Sequence, residues 1–174
     1  MRATSILLGL GLALAQPAGA TVLSDWKLEE IIQRSDLIVI GTVRAARGVE
    51  GEGTILTASK IEVERTLFDA SAGAAPRFIE VWELGGHLGQ RWVEVPGTAG
   101  LSVGRRYLLF TFLHPDGHRY LVGMALGAYR LDSGQPTQTI DVPVITRDGK
   151  LHDAPGPRTT TLEEVRRLIR GRGP

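Results

Sequence analysis

Cysteine is absent from the 174-residue sequence. Disulfides, zinc sites built on thiolates and thiol nucleophiles are therefore excluded. A lipid anchor attached to cysteine is excluded for the same reason. The folded protein must be stabilised by a packed apolar core.

Long hydrophobic runs are also scarce, and the longest lies at the amino terminus. Arg2 precedes an uncharged apolar run at residues 6–15, and the small residues 18–20 follow it. This order is typical of a secretory signal peptide, and a run of ten residues is short of the roughly 20 needed to cross a bilayer. We expect residues 1–20 to be removed and the mature chain to be periplasmic or secreted, without a transmembrane segment.

The mature chain has no excess of positive charge. Loss of Arg2 with the leader leaves 19 basic residues against 19 acidic ones. Proteins that bind nucleic acids present a broad cationic face, since phosphate contacts supply much of their affinity. Nucleic acid is therefore not expected as a partner. The remaining 154 residues match one domain, 21–174.

Most of the mature chain has the pattern of β-strands. Runs rich in β-branched and aromatic residues, separated by turn residues, predict about eight strands. They cover residues 37–43, 54–68, 77–84, 91–95, 107–113, 119–124, 128–131 and 139–145. The run at 107–113 is the most hydrophobic of the mature chain and is the expected core strand.

Helical patterns occur at the two ends of the mature chain. Ser24 is predicted to cap a short helix that ends at Ser35-Asp36, and Thr161 to Glu164 has the spacing of a capping box for a helix at about 161–170. The expected fold is mainly β: an OB-like antiparallel barrel with a core at about 35–146 and a short helix at each end.

The sequence predicts no catalytic, cofactor or metal site. Ser59, Ser71, Ser102 and Ser133 are not expected to be nucleophiles. His114 and His118 flank a Pro-Asp-Gly turn, which should place their side chains in solvent instead of around a metal ion. Glu80 and Glu83 are three residues apart on a strand, so they should lie on opposite faces.

A glycine-rich turn framed by two tryptophans is the predicted contact loop for a partner. The residues are Trp82, Gly85, Gly86, His87 and Trp92. Aromatic side chains around such a turn are suited to ligand or protein contacts. Ordinary packing of a hairpin against the core is the alternative explanation.

The chain resembles exported bacterial β-barrel proteins of uncharacterised function and, more distantly, netrin-like and tissue-inhibitor-of-metalloproteinase-like domains with an OB fold. The resemblance covers about residues 35–131. Its segments are 35–43 (SDLIVIGTV), 61–67 (IEVERTL), 84–86 (LGG) and 103–110 (VGRRYLLF). It implies a closed or nearly closed barrel whose loops bind a partner. The inhibitors use an amino-terminal cysteine and disulfides that this chain lacks, so their inhibitory residues do not transfer.

The leading functional expectation is an exported, non-enzymatic module that binds a protein, such as an exported or envelope protein. A barrel that binds a small molecule or glycan is the first alternative, and a concave aromatic pocket near Trp82 would favour it. A metal-dependent hydrolase is the second alternative, which requires His87, His114 or His118 to converge with carboxylates.

Overall fold

The computed structural model describes residues 21–71, 73–132 and 134–172. The predicted signal peptide, residues 1–20, lies outside the described residues. The strands are β1 (Leu23–Ser24), β2 (Leu37–Glu50), β3 (Ile55–Asp69), β4 (Phe78–Leu84), β5 (Gly86–Leu88), β6 (Arg91–Val93), β7 (Arg106–Leu113), β8 (Arg119–Leu121), β9 (Ala128–Arg130), β10 (Thr137–Ile140), β11 (Val144–Ile145), β12 (Leu151–His152) and β13 (Gly156–Thr159). The helices are α1 (Leu28–Arg34) and α2 (Leu162–Arg170), and a 3₁₀ turn covers Met124–Gly127.

Five strands close into a barrel in the order β2, β3, β4, β8, β7 and back to β2. All pairs in this circuit are antiparallel except β4 with β8, which are parallel and pair Trp82 with Tyr120. Along the chain the five barrel strands follow the order β2, β3, β4, β7, β8, so the last two exchange places in the barrel. This 1-2-3-5-4 order is the connectivity of an OB fold. The prediction of a mainly β, OB-like barrel with two short helices is confirmed.

Residues 37–43 of β2 and 107–111 of β7 are largely buried on both faces, which explains why these two stretches are mostly apolar. Val39 and Leu109 point into the barrel, where they join the inner core. Ile38 and Phe110 point outward and pack in a second core with residues of α1 and α2. The predicted core strand is thus confirmed, and it separates two hydrophobic layers.

The amino-terminal helix begins later than predicted. Ser24 does not cap it, because Leu23–Ser24 pairs in parallel with Val144–Ile145 as strand β1. Lys27 is the residue before the first helical turn, and its backbone N–H donates to the Glu30 carboxylate at 2.9 Å. No helix in the described ranges has both the length and the apolar character to span a bilayer.

Other predicted strand boundaries shift as well, and the strand predicted at 119–124 ends at Leu121 as β8, before the 3₁₀ turn. β2 continues seven residues beyond the predicted end at Val43, because it stays paired with β3 to the tip of a long hairpin. The predicted strand at 139–145 is divided into β10 and β11, with Pro143 between them. Proline has no N–H for a sheet ladder, so it interrupts the strand.

The carboxy-terminal helix forms as predicted. Thr161 accepts a hydrogen bond from the Glu164 N–H at 3.0 Å, while the Glu164 side chain accepts from the Thr160 hydroxyl at 2.9 Å. Val165 is fully buried in the outer core. Past the helix, the Arg172 guanidinium donates to the Ser35 and Gln33 carbonyls, which ties the end of the chain to α1.

Candidate functional site

Two adjoining clefts meet around the end of strand β4. The aromatic cleft has a volume of about 540 Å³, and the side chains that define it are Trp26, Arg34, Trp82, Phe112, Tyr120 and Met124. The hairpin cleft has a volume of about 500 Å³ and is defined by Gly85, Gly86, His87, Trp92, Val95 and Ser102. Glu83, Leu84 and Thr98 line both clefts and form the boundary between them.

The aromatic cleft is built on the outer face of three neighbouring barrel strands. Tyr120 on β8 pairs with Trp82 on β4 and with Phe112 on β7, so the three rings lie side by side. Trp82 is only 8% exposed, because the His118 ring stacks on it with centroids 3.9 Å apart. Trp82 is therefore part of the cleft floor, and it is not a projecting contact residue.

Glu83 is a buried carboxylate on the inward face of β4. It is 7% exposed and accepts hydrogen bonds from the backbone N–H groups of Gly100 at 2.9 Å and Leu101 at 3.1 Å. Burial raises the pKa of Glu83 above its usual value, although these N–H donors act in the opposite direction. The carboxylate holds the loop before β7 against the barrel.

The predicted opposite placement of Glu80 and Glu83 is confirmed. Glu80 is exposed on the outer face of β4, where it accepts a hydrogen bond from Arg47 at 3.0 Å. The burial of Glu83 was not foreseen. It depends on the loop at 99–101, which no pattern within β4 indicates.

Substituting Glu83 with glutamine should change how stability depends on pH. A carboxyl group whose folded pKa is raised binds protons more strongly in the folded state, so its contribution to stability falls as pH rises above 4.5. The wild-type advantage over Glu83→Gln in unfolding free energy should therefore shrink by up to about 1.4 kcal/mol per pH unit. Urea denaturation of both proteins between pH 4.5 and 8 measures this difference in unfolding free energy.

The matched control is Glu80→Gln, which removes an exposed carboxylate from the other face of the same strand. If the difference between wild type and Glu83→Gln instead grows with pH, the N–H donors outweigh burial, and Glu83 is a stabilising anion in the folded protein.

The predicted turn at 85–90 contains a strand of its own, because β5 pairs with β6 whereas β4 pairs with β3 and β8. The hairpin is therefore smaller than predicted, and it is seated closely on the barrel. β5 and β6 pair His87 with Trp92, and the two rings stack with centroids 6.4 Å apart. The Thr57 hydroxyl donates to the Gly85 carbonyl at 2.7 Å. At Gly48 on β2, a Cβ atom would lie 1.8 Å from the His87 carbonyl oxygen, so only glycine permits this approach.

Trp92 is the exposed member of the predicted contact loop. It is 62% exposed, although its backbone belongs to this well-seated hairpin. The five predicted residues thus divide between the clefts: Trp82 lies in the aromatic cleft, and Gly85, Gly86, His87 and Trp92 line the hairpin cleft.

Sequence reasoning missed Trp26, Phe112 and Tyr120 as lining residues. Side chains alternate between the two faces of β7, which places Phe112 on the outer face. This position could therefore have been predicted from the sequence. Trp26 reaches the cleft only through the position of the segment before α1. Phe78 and Tyr107 line neither cleft.

The His114–His118 turn forms as predicted, but the prediction that both side chains lie in solvent is wrong for His118, which is half-buried because its ring stacks on Trp82. His114 and His118 close it through a backbone hydrogen bond of 2.8 Å. Asp116 accepts from the Tyr120 hydroxyl at 3.0 Å and lies 3.1 Å from His114 Nδ1. No three His, Asp or Glu side chains in residues 21–71, 73–132 and 134–172 are grouped as a metal site.

The sequence contains two serine spacings that are typical of hydrolases. Gly100 to Gly104 reads G-x-S-x-G around Ser102, and Ser24 to Lys27 reads S-x-x-K. A nucleophile elbow places its serine between a strand and a helix, but Ser102 lies in a loop that leads into strand β7. Its hydroxyl donates to the Gly100 carbonyl at 3.2 Å. Ser24 lies in β1, outside any helix. Neither serine has the local structure of a nucleophile.

No protein-family model matches this chain, and none of the curated proteins is significantly similar to it. The geometry of the two clefts is therefore the basis for inferring function.

Proposed function

We propose that this protein is an exported, non-enzymatic module that binds another protein through the β5–β6 hairpin. The observation that carries the proposal is Trp92, a large aromatic side chain that is 62% exposed on a rigidly supported hairpin. Tryptophan is among the residues that contribute most to protein interfaces. Because the backbone of the hairpin is seated on the barrel, binding should order little additional backbone, which favours affinity.

The charges of the hairpin cleft indicate the chemistry of the partner segment. Glu83 and Glu94 line the cleft, and no lysine or arginine lines it in the part of the chain that the structure describes. Leu84 adds exposed apolar surface next to the cleft. The complementary partner segment presents an apolar side chain for Trp92 and Leu84 and a lysine or arginine near Glu94.

An exported or envelope protein is the proposed source of this segment. The support is the leader-like pattern of residues 1–20, which would place the mature chain in the periplasm or outside the cell. We also propose a relationship to netrin-like domains, and the OB connectivity of the barrel supports it. Protease inhibition is not part of the proposal, since a fold alone does not specify a function.

Substituting Trp92 with alanine should weaken partner binding by about tenfold or more, because an aromatic anchor is lost. The free energy of unfolding should change by less than about 0.5 kcal/mol, as is usual for an exposed position. Partners captured from envelope and secreted fractions are identified by mass spectrometry. Each is then purified, and its dissociation constant is measured by calorimetry.

Leu151→Ala is the matched control, because Leu151 is 63% exposed on β12 and lines neither cleft. A purified partner that binds Trp92→Ala and wild type equally would remove the hairpin from the interface. A large loss of stability in Trp92→Ala would show that Trp92 has a core role instead.

A small-molecule-binding barrel is a second candidate function, and one specific observation favours it. The aromatic cleft is concave and is lined by Trp26, Trp82, Phe112 and Tyr120. Its volume falls within the range of about 300–1,000 Å³ that is usual for ligand pockets.

A further inference from the structure

The aromatic cleft has a single cationic side chain at its edge. Arg34 is the only lysine or arginine that lines it among the described residues. The remaining wall is largely aromatic and apolar. We propose that this cleft binds apolar monocarboxylates, with the Arg34 guanidinium contacting the carboxylate and the aromatic rings contacting the apolar body. The inference deepens the second candidate function, on which it rests.

Arg34 is free to receive an anion. It lies in the last turn of α1, and no carboxylate within the described part of the chain forms an ion pair with it. Glu30, one turn earlier, pairs with Arg147 instead. The Arg34 guanidinium stands 4.4 Å from the centroid of the Trp26 ring, which holds it beside the cleft. Guanidinium groups form strong, directional hydrogen bonds with carboxylates.

A cationic ligand fits this cleft less well, although aromatic cages often bind cations. The Arg34 guanidinium already lies over the Trp26 ring. The Arg47 guanidinium lies 5.8 Å from the centroid of the Trp82 ring, and the His118 ring stacks on Trp82. Glu83 is the one carboxylate lining the cleft among the described residues, and backbone N–H groups already engage it. The charged group that remains available to a ligand in this cleft is therefore the Arg34 guanidinium, which favours an anion.

An unusual backbone conformation in the cleft wall is a second observation that supports a binding site. Met124 has a φ of 58°, and in the described ranges it is the only residue other than glycine with a positive φ. This conformation is uncommon for residues other than glycine, and strained backbone positions cluster at functional sites. Gly123 precedes it at φ 66°, and a Cβ atom there would lie 3.0 Å from the Trp26 ring. The strained turn thus places Met124 and Trp26 together in the cleft wall.

The test compares three probes that have straight apolar chains of seven or eight carbons and different head groups: octanoate, octan-1-ol and octyltrimethylammonium. A Trp92→Phe background leaves Trp26 and Trp82, both in the aromatic cleft, as the fluorescent tryptophans. Octanoate and octyltrimethylammonium are titrated below their micelle concentrations and octan-1-ol below its solubility limit, while tryptophan fluorescence is followed. Octanoate should bind about fivefold more tightly than octanol, since one partly solvated ion pair is added.

Arg34→Gln should abolish the preference for octanoate, and Arg34→Lys should retain most of it. Arg167→Gln removes an exposed arginine from α2, outside the cleft, and should leave the preference unchanged. Equal binding of octanoate and octanol, or a preference that survives Arg34→Gln, would overturn the inference while leaving a small-molecule site. Binding of none of the probes would overturn both.

Discussion

Phe110→Ala should lower the free energy of unfolding by about 3–5 kcal/mol, the range for removing a buried phenylalanine ring. Phe110 is fully buried on the outer face of β7 and meets Tyr129 edge to face, with centroids 5.8 Å apart. The loss combines apolar transfer with the cavity that a rigid surround leaves behind. Single domains are stable by only about 5–15 kcal/mol, so much of the total would be lost.

Urea denaturation of Phe110→Ala and wild type measures this difference. Phe78→Ala is the matched control, because Phe78 is exposed on β4 below Lys60 and Arg77. Its loss should stay below about 1 kcal/mol. A loss below about 1 kcal/mol for Phe110→Ala as well would mean that the layer between the barrel and the helices is not well packed.

Gly48→Ala should displace the β5–β6 hairpin and thereby weaken partner binding, although Trp92 itself is unchanged. The added Cβ would lie 1.8 Å from the His87 carbonyl oxygen and 2.7 Å from its carbonyl carbon. These are backbone atoms, which cannot turn away as a flexible side chain could. We expect a loss of about 2–3 kcal/mol in stability, the upper part of the range for overpacking, and a loss of partner affinity similar to that of Trp92→Ala.

Gly171→Ala makes the same chemical change where there is room, since the nearest atom would be 3.6 Å away. Calorimetry with the purified partner and amide chemical shifts of residues 86–93 together report the hairpin position. If Gly48→Ala shifts these resonances but binds the partner as wild type does, the hairpin is not the interface. Unchanged resonances would instead refute the close seating of the hairpin on β2.

The sequence was most informative about strands and turns. The run at 107–113 predicted a core strand, and β7 is buried on both faces. The Pro-Asp-Gly turn and the Thr161 cap also formed as expected, because each depends on residues a few positions apart. Ser24 failed as a helix cap because pairing with Val144–Ile145 recruits it into β1, a contact across about 120 residues that no local pattern shows.

The candidate site was predicted only in part. A hairpin at Trp92 was expected from its turn residues, although the strand that pairs with β6 is β5 and not β4. Trp82, however, became the floor of a cleft, since β8 pairs beside β4 and brings Tyr120 and His118 onto it. Ser102 lies in a motif that the sequence contains, yet its loop leads into a strand, so only the structure could assess it.

The sequence by itself determined the absence of thiol chemistry, the near-equal numbers of basic and acidic residues, the mainly β character and the helix at 162–170. These properties follow from composition and from side-chain patterns over a few residues. Only the tertiary structure decided that β4 and β8 close the barrel, that Glu83 is buried against the loop at 99–101, and that Arg34 stands free beside an aromatic cleft. Each of these depends on segments far apart in the chain, whose pairing is set by how the whole core packs and not by local preference.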